Sequence, residues 1–242
     1  MRSILGTAIF IFILCGPSFA EEIVQVDNQY VQEYKGRLGA WTEVKSQAQL
    51  NSLVGKFGTT IQEVREMNGS QLAFGSFLFM PFSDKYLQEL EAQGVKRDSV
   101  VSRKNDFIWP ISRVDNISSA FGMRHGRLHT GTDMPAVRGT PIIAVMDGRV
   151  VATGNDAGLG KNILLEHRDN FFTRYAHCYR WLVKTGDYVK KGQIIGLVGS
   201  TGRSTGCHLH FEIRYNDIPL NPLDFLPYKQ NLSQPHMIRN WK

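Results

Sequence analysis

Pro141-Ile142-Ile143-Ala144-Val145-Met146-Asp147-Gly148-Arg149-Val150-Val151-Ala152 sets the fold class of the larger part of this chain. Two apolar, β-branched runs flank Asp147-Gly148, a pair suited to a tight turn, so the stretch predicts a β-hairpin. Similar runs follow at Ile163-Leu164-Leu165-Glu166-His167, Phe172-Thr173-Arg174-Tyr175-Ala176-His177, Ile194-Ile195-Gly196-Leu197-Val198 and His208-Leu209-His210-Phe211-Glu212-Ile213. Short strands separated by Gly, Asp and Asn predict a mainly β domain over 107–226, an antiparallel sheet or sandwich.

Upstream the periodicity changes. Leu50, Leu53, Val54 and Phe57 recur at helical spacing up to Gly58, and Thr59-Thr60 open a second helix through Ile61, Val64 and Met67 that stops at Asn68-Gly69. Phe77-Leu78-Phe79-Met80 reads as a strand closed by Pro81. The expectation is a small α+β unit over 43–82, preceded by a polar lead-in (21–42) and followed by a charged linker (83–106). One amphipathic helix, at Tyr86-Leu87-Leu90 and ending near Gly94, is expected within that linker.

The chain has 242 residues, enough for two cores. Arg2, the apolar run Ile4 to Cys15 and Ser18-Phe19-Ala20 read as a secretory signal over 1–20. The run is shorter than the roughly 20 residues that span a bilayer, so no retained membrane span is expected. Phe12-Ile13-Leu14 lacks the small residues expected before a lipid-modified cysteine at Cys15. These features place the protein outside the cytoplasm, in the periplasm, the cell wall or the medium. The formal charge is +6. Removing Arg2, the one ionised side chain in 1–20, lowers it to about +5, which suits an anionic polymer. With no basic stripe interleaved with aromatics, a nucleic-acid partner is not expected. Residues 227–242 form a polar tail, and the sequence sets no oligomeric state.

Of seven histidines, four lie with one aspartate in three short motifs: His129-Thr130-Gly131-Thr132-Asp133, Tyr175-Ala176-His177 and His208-Leu209-His210. On a strand His208 and His210 share one face while Leu209 and Phe211 take the other. His129 and Asp133 would lie about 13 Å apart on a straight strand, and Gly131 permits the bend that joins them. Two imidazoles and one carboxylate make up a three-ligand catalytic zinc site, whereas a cysteine-lined structural site is excluded, since only Cys178 and Cys207 follow the signal. Tyr175, two residues before His177, shares its face on a regular strand. Glu212 continues the face of His208 and His210 and is placed to orient an imidazole. A Cys178–Cys207 disulfide is expected if His177 and His208 oppose each other on neighbouring strands.

Residues 107–226 resemble the lysostaphin and LytM type of peptidoglycan metallopeptidase. The match runs through Ser119-Ala120-Phe121-Gly122-Met123-Arg124, His129 to Asp133, Gly139-Thr140-Pro141, Tyr175-Ala176-His177, Gly186 to Gln193, and Gly199-Ser200-Thr201-Gly202 through Glu212. The resemblance implies one zinc ion (Zn2+) on His129, Asp133 and His210, with His177 and His208 as the catalytic histidines. His125, His167 and His236 fall outside these positions and are read as non-ligands. Only His125-Gly126-Arg127-Leu128 separates Arg124 from His129, where family members usually carry a longer segment. Residues 43–82 are similar to the LysM peptidoglycan-binding module, although Ser46-Gln47-Ala48-Gln49 replaces its usual Gly-Asp-Thr opening. Together the resemblances imply an exported endopeptidase acting on peptidoglycan, the module binding glycan and the second domain cutting peptide. The alternative is a regulator of cell-wall amidases, as in relatives that have lost their zinc ligands.

Overall fold

A computed structural model describes residues 31–93, 106–112, 116–124 and 126–227. The expected signal, the first part of the lead-in, the end of the linker, nearly all of the tail, His125 and His236 lie outside these residues. Among the described residues no helix is long and apolar enough to cross a membrane.

The N-terminal part contains β1 (Gln32–Tyr34), β2 (Arg37–Val44), α1 (Gln47–Phe57), α2 (Ile61–Asn68), β3 (Ser76–Pro81) and α3 (Asp84–Ala92). Its sheet is antiparallel in the order β1-β2-β3. Ser46 caps α1 by accepting the Gln49 N–H, and Gly58 ends it in the left-handed region at φ 64°. Thr60 and Glu63 close a capping box on α2. Asn68, buried, pins the end of α2 to β3 by accepting the Phe79 N–H (2.7 Å) and donating to the Phe79 carbonyl (2.8 Å).

Residues 32–42 were expected as lead-in, yet they form β1 and most of β2. Alternation on β2 and β3 gives the sheet two apolar faces. Ala40, Val44, Leu78 and Met80 meet the helices through Leu50, Phe57 and Val64. Trp41 and Phe79 look the other way, onto Phe121, Met123 and Leu128 of the second part. The amphipathic helix expected within the linker forms as α3, and it packs Leu90 into the first core instead of standing free as part of a linker.

The second part is built from β4 (Gly122–Arg124), β5 (Arg127–His129), β6 (Thr132–Pro135), β7 (Pro141–Ile143), β8 (Gly148–Asp156), β9 (Gly160–Glu166), β10 (Phe171–Ala176), β11 (Cys178–Trp181), β12 (Tyr188–Val189), β13 (Ile194–Val198), β14 (His208–Tyr215) and β15 (Ile218–Leu220). A seven-stranded antiparallel sheet runs β12-β8-β9-β10-β14-β15, with β6 also paired to β14. A smaller sheet, β11-β13-β7, shares its core, and β4-β5 is a separate hairpin. The chain is therefore mainly β, as its strand runs and turn residues imply.

The hairpin expected over 141–152 does not form. β7 pairs with β13 in the small sheet, while β8 pairs with β9 and β12 in the large one. Ala144, Val145 and Met146 are all buried, with no solvent-facing alternate, because the chain there crosses the core between sheets. Gly148 serves close approach rather than a turn, since a Cβ would lie 2.5 Å from the Glu166 carbonyl.

Candidate metal and catalytic centre

β14 carries His208 and His210 on one face, with Leu209 and Phe211 in the core on the other. Pairing with β6 sets His210 opposite Asp133. β5 delivers His129 to the same point through the bend at Thr130-Gly131. Gly131 is required for proximity, since a Cβ there would sit 2.4 Å from the Phe211 carbonyl and 2.8 Å from the His210 ring. His129 Nε2 and His210 Nδ1 are 3.1 Å apart, and each approaches Asp133 Oδ1, at 3.1 and 2.8 Å. All three residues are buried. They form a group able to hold a metal ion.

Hydrogen bonds at the far side of each ring fix which nitrogen is bare. A nitrogen beside a carbonyl oxygen must carry the proton. His129 Nδ1 donates to the Ala120 carbonyl (2.8 Å), which leaves Nε2 bare toward the group. His210 uses the opposite tautomer: Nε2 donates to Glu212 (3.2 Å), and Nδ1 faces Asp133. Glu212 is itself buried, accepts from Thr130 Oγ1 and lies 3.3 Å from an Arg214 nitrogen. The five-residue sequence pattern gave no sign of Thr130, whose hydroxyl steadies this carboxylate.

His177 and His208 border the same group. Their ring centroids are 4.7 Å apart, and His177 lies 5.9 Å from the His210 ring. Each is held by Nδ1, His177 on the Thr201 carbonyl (2.7 Å) and His208 on the Gly206 carbonyl (2.9 Å). Both Nε2 atoms are thereby left bare, and His208 Nε2 is 3.7 Å from Asp133 Oδ1.

Charges at the centre are coupled. Burial works against an ionised Asp133, but hydrogen bonds and charge from His129 and His210 outweigh it and hold the carboxyl far below its usual range. Burial likewise opposes the His210 cation, yet Asp133 and Glu212 push its pKa up to about 9, so without an ion Nδ1 keeps a proton toward Asp133 that a bound metal would displace. Glu212, despite burial, falls to about 2 through His210, Arg214 and Thr130. His177 moves down, first because it is buried and further because His208 and His210 repel its cation.

Tyr175 does not join this centre. Fully buried, its hydroxyl accepts the Val145 N–H at 3.1 Å. The period-two expectation fails at His177, whose φ of 59° breaks the strand between β10 and β11 and re-aims the ring. The same break removes the expected disulfide. Beyond His177 the chain joins the small sheet, where Cys178 pairs with Val198, and the β10–β14 register (Ala176 opposite His210) places no cysteine opposite another. Both thiols are free: Cys178 is buried, with its pKa raised to about 12 by desolvation, and Cys207 is exposed. His167 lies away from the centre, buried between the Asp147 carbonyl (2.8 Å) and Thr173 Oγ1 (2.7 Å).

One further side chain reaches the centre. Arg124, on β4, donates from Nη1 to Ser119 Oγ (2.8 Å), and its Nη2 lies 3.7 Å from Asp133 Oδ2. The β4–β5 hairpin is braced from behind by the N-terminal sheet. The Tyr34 hydroxyl accepts the Met123 N–H (3.3 Å), and the Trp41 ring meets Phe121 edge-on at 5.5 Å.

Residues 127–222 match the model of Peptidase family M23. The chain is 44% identical over 113 residues to the DD-carboxypeptidase/endopeptidase Mpg of Neisseria meningitidis serogroup B, covering 44% of this chain and 26% of that protein. It is 44% identical over 108 residues to the peptidoglycan DD-endopeptidase ShyC of Vibrio cholerae, covering 44% and 25%. It is 41% identical over 122 residues to the murein hydrolase activator NlpD of Escherichia coli, covering 50% and 31%. The chain thus spans only about a quarter to a third of these curated relatives.

Proposed function

We propose that this protein is an exported, zinc-dependent endopeptidase that hydrolyses peptide bonds in bacterial peptidoglycan, with residues 43–82 holding it on the glycan. His129, Asp133 and His210 are the zinc ligands; His177 and His208 are the catalytic pair. The observation that carries the reading is the convergence of possible ligand atoms. Three converge on one point within a buried site, and two more imidazoles present Nε2 beside it. Zinc, when bound, lowers the pKa of a coordinated water and polarises the scissile carbonyl.

The chain's own residues divide the remaining work. Asp133 and the two ligand histidines would contribute a single negative charge, so a divalent ion held by them would stay net positive and electrophilic. Of the catalytic pair, one imidazole accepts the proton of the attacking water on its bare Nε2, and the other, once Nε2 has taken up a proton, donates a hydrogen bond to the oxygen that gains charge. His177, kept neutral by its surroundings, suits the acceptor role.

The likeness to NlpD supports a second reading, a non-catalytic activator of wall hydrolases. Retention of all five residues favours the enzyme. Replacing His129, Asp133 or His210 by Ala is expected to abolish both bound zinc and activity. His177→Ala and His208→Ala are expected to keep zinc and lose on the order of 10² or more in turnover. Elemental analysis beside mass spectrometry of digested peptidoglycan measures both. A wild-type protein that binds no zinc and releases no fragments is the activator instead.

A further inference from the structure

We propose that Arg124 is a specificity-determining residue. It binds a free carboxylate on the carbon attached to the scissile nitrogen, so that the substrate is a bond whose leaving residue keeps its own α-carboxylate. The inference rests on the peptidase reading of the site.

Three observations carry it. First, Arg124 stands beside the reacting point: Nη2 is 3.7 Å from Asp133 Oδ2, while the other oxygen of that carboxylate lies among the metal-binding nitrogens. Second, the guanidinium is only partly committed. It offers five donors in a planar fork suited to bidentate carboxylate binding, and its side chain is 49% exposed. Among the described residues its contacts are one hydrogen bond to Ser119 and the longer approach to Asp133. Once Asp133 is shared with a cation, its charge no longer balances the guanidinium, and the cleft edge becomes a site for an anion. Third, the backbone that carries Arg124 is braced. β4–β5 is a short hairpin with Arg124 paired to Arg127, and Tyr34 of the N-terminal sheet packs on Gly122 and accepts the Met123 N–H. A cation on a braced backbone beside the metal group reads the position of a substrate charge, and Arg127 adds a second positive charge at the same hairpin end.

Two wall chemistries differ at this atom. An interior glycyl-glycine bond of an oligoglycine bridge has an uncharged amide where the carboxylate would be. A D-Ala-D-Ala terminus carries a carboxylate there, and so does a cross-link closed through the amine of a diamino acid whose carboxyl on that same carbon is free. Arg124 favours the latter pair.

The test uses the full zinc-loaded chain with two soluble peptides, N-acetylated Lys-D-Ala-D-Ala as free acid and as C-terminal amide, and an oligoglycine of similar length. Wild type is expected to prefer the acid over the amide and the oligoglycine by about 10- to 100-fold in kcat/KM, the range for one charge-assisted contact. Arg124→Gln is expected to bring the acid-to-amide ratio close to one with zinc content unchanged, and Arg124→Lys to restore part of the preference. A wild type without preference, a ratio that survives Arg124→Gln, or loss of zinc in that variant overturns the proposal and leaves Arg124 a structural partner of Asp133. If wild type cuts no peptide, the peptidase reading fails. Arg124 is then judged by titrating acid and amide into the zinc-loaded wild type and Arg124→Gln: tighter binding of the acid to wild type alone upholds carboxylate recognition, and equal binding refutes it.

Discussion

At the scale of single residues, the centre works through which nitrogen of each ring is left bare. Backbone carbonyls dictate this for His129, His177 and His208, and Glu212 dictates the reverse for His210. Glu212→Gln can leave Nε2 facing an amide nitrogen and so weaken the preference for a bare Nδ1. Zinc affinity, measured by competition with a chromophoric chelator, is expected to fall by about 10- to 100-fold. Unchanged affinity would remove Glu212 from the site. A second prediction follows from the lowered pKa of His177. Its neutral form persists below the ordinary histidine value of about 6.5, and the positive charge of a bound cation pushes the same way. The acid limb of kcat/KM against pH is therefore expected below about 6.5, with full activity above it and loss as pH falls through the depressed value. A limb above pH 6.5, with zinc still bound, would rule out His177 as proton acceptor. The five residues singled out in the sequence are brought together by the fold, and the shared face of His208 and His210 is that of β14. The sequence could not show Arg124 entering from a separate hairpin, nor the left-handed turn at His177 that excludes Tyr175, because both depend on where distant strands meet.

At the scale of elements, the β5–β6 bend has to bring His129 and Asp133, four positions apart, into the group proposed to hold zinc while lying against β14. Gly131 is the device: its missing Cβ is the space occupied by the Phe211 carbonyl and the His210 ring. Gly131→Ala meets backbone on one side and the His210 ring on the other, so β5 has to shift. Both zinc affinity and stability are expected to drop, the latter by about 1–3 kcal/mol, read from chemical denaturation beside the chelator assay. A stable variant with wild-type zinc affinity would show that the bend has slack. Elements were legible where one face met solvent, as in the helices marked by Leu50, Leu53, Phe57 and Val64. They were misread where both faces were buried. Ala144-Val145-Met146 crosses between sheets although its residues have strand chemistry, and Trp41, in a stretch read as lead-in, looks inward with Phe79 on the second face of the N-terminal sheet.

At the scale of the whole molecule, that second apolar face decides how the parts behave together. A tethered wall-binding module would turn a polar sheet face to solvent; here Tyr34, Trp41, Phe77 and Phe79 cluster with Phe121, Met123, Leu128 and Ile218, and Trp41 is 1% exposed. Aromatic rings at 4.9 to 5.5 Å around Trp41 make this a core shared between the N-terminal sheet and the hairpin that carries Arg124 and His129. Burial of such a side chain stabilises both partners at once, so neither is expected to unfold alone. Heating is expected to give one transition followed alike by tryptophan fluorescence and by loss of bound zinc. Trp41→Ala is expected to remove about 3–5 kcal/mol, the range for truncating a large core aromatic. With the shared core weakened, the N-terminal part should melt before the zinc is released. Two separate transitions in the wild type, or a Trp41→Ala protein of unchanged stability, would mean that the two parts touch without supporting each other, and that the hairpin holds Arg124 in place unaided.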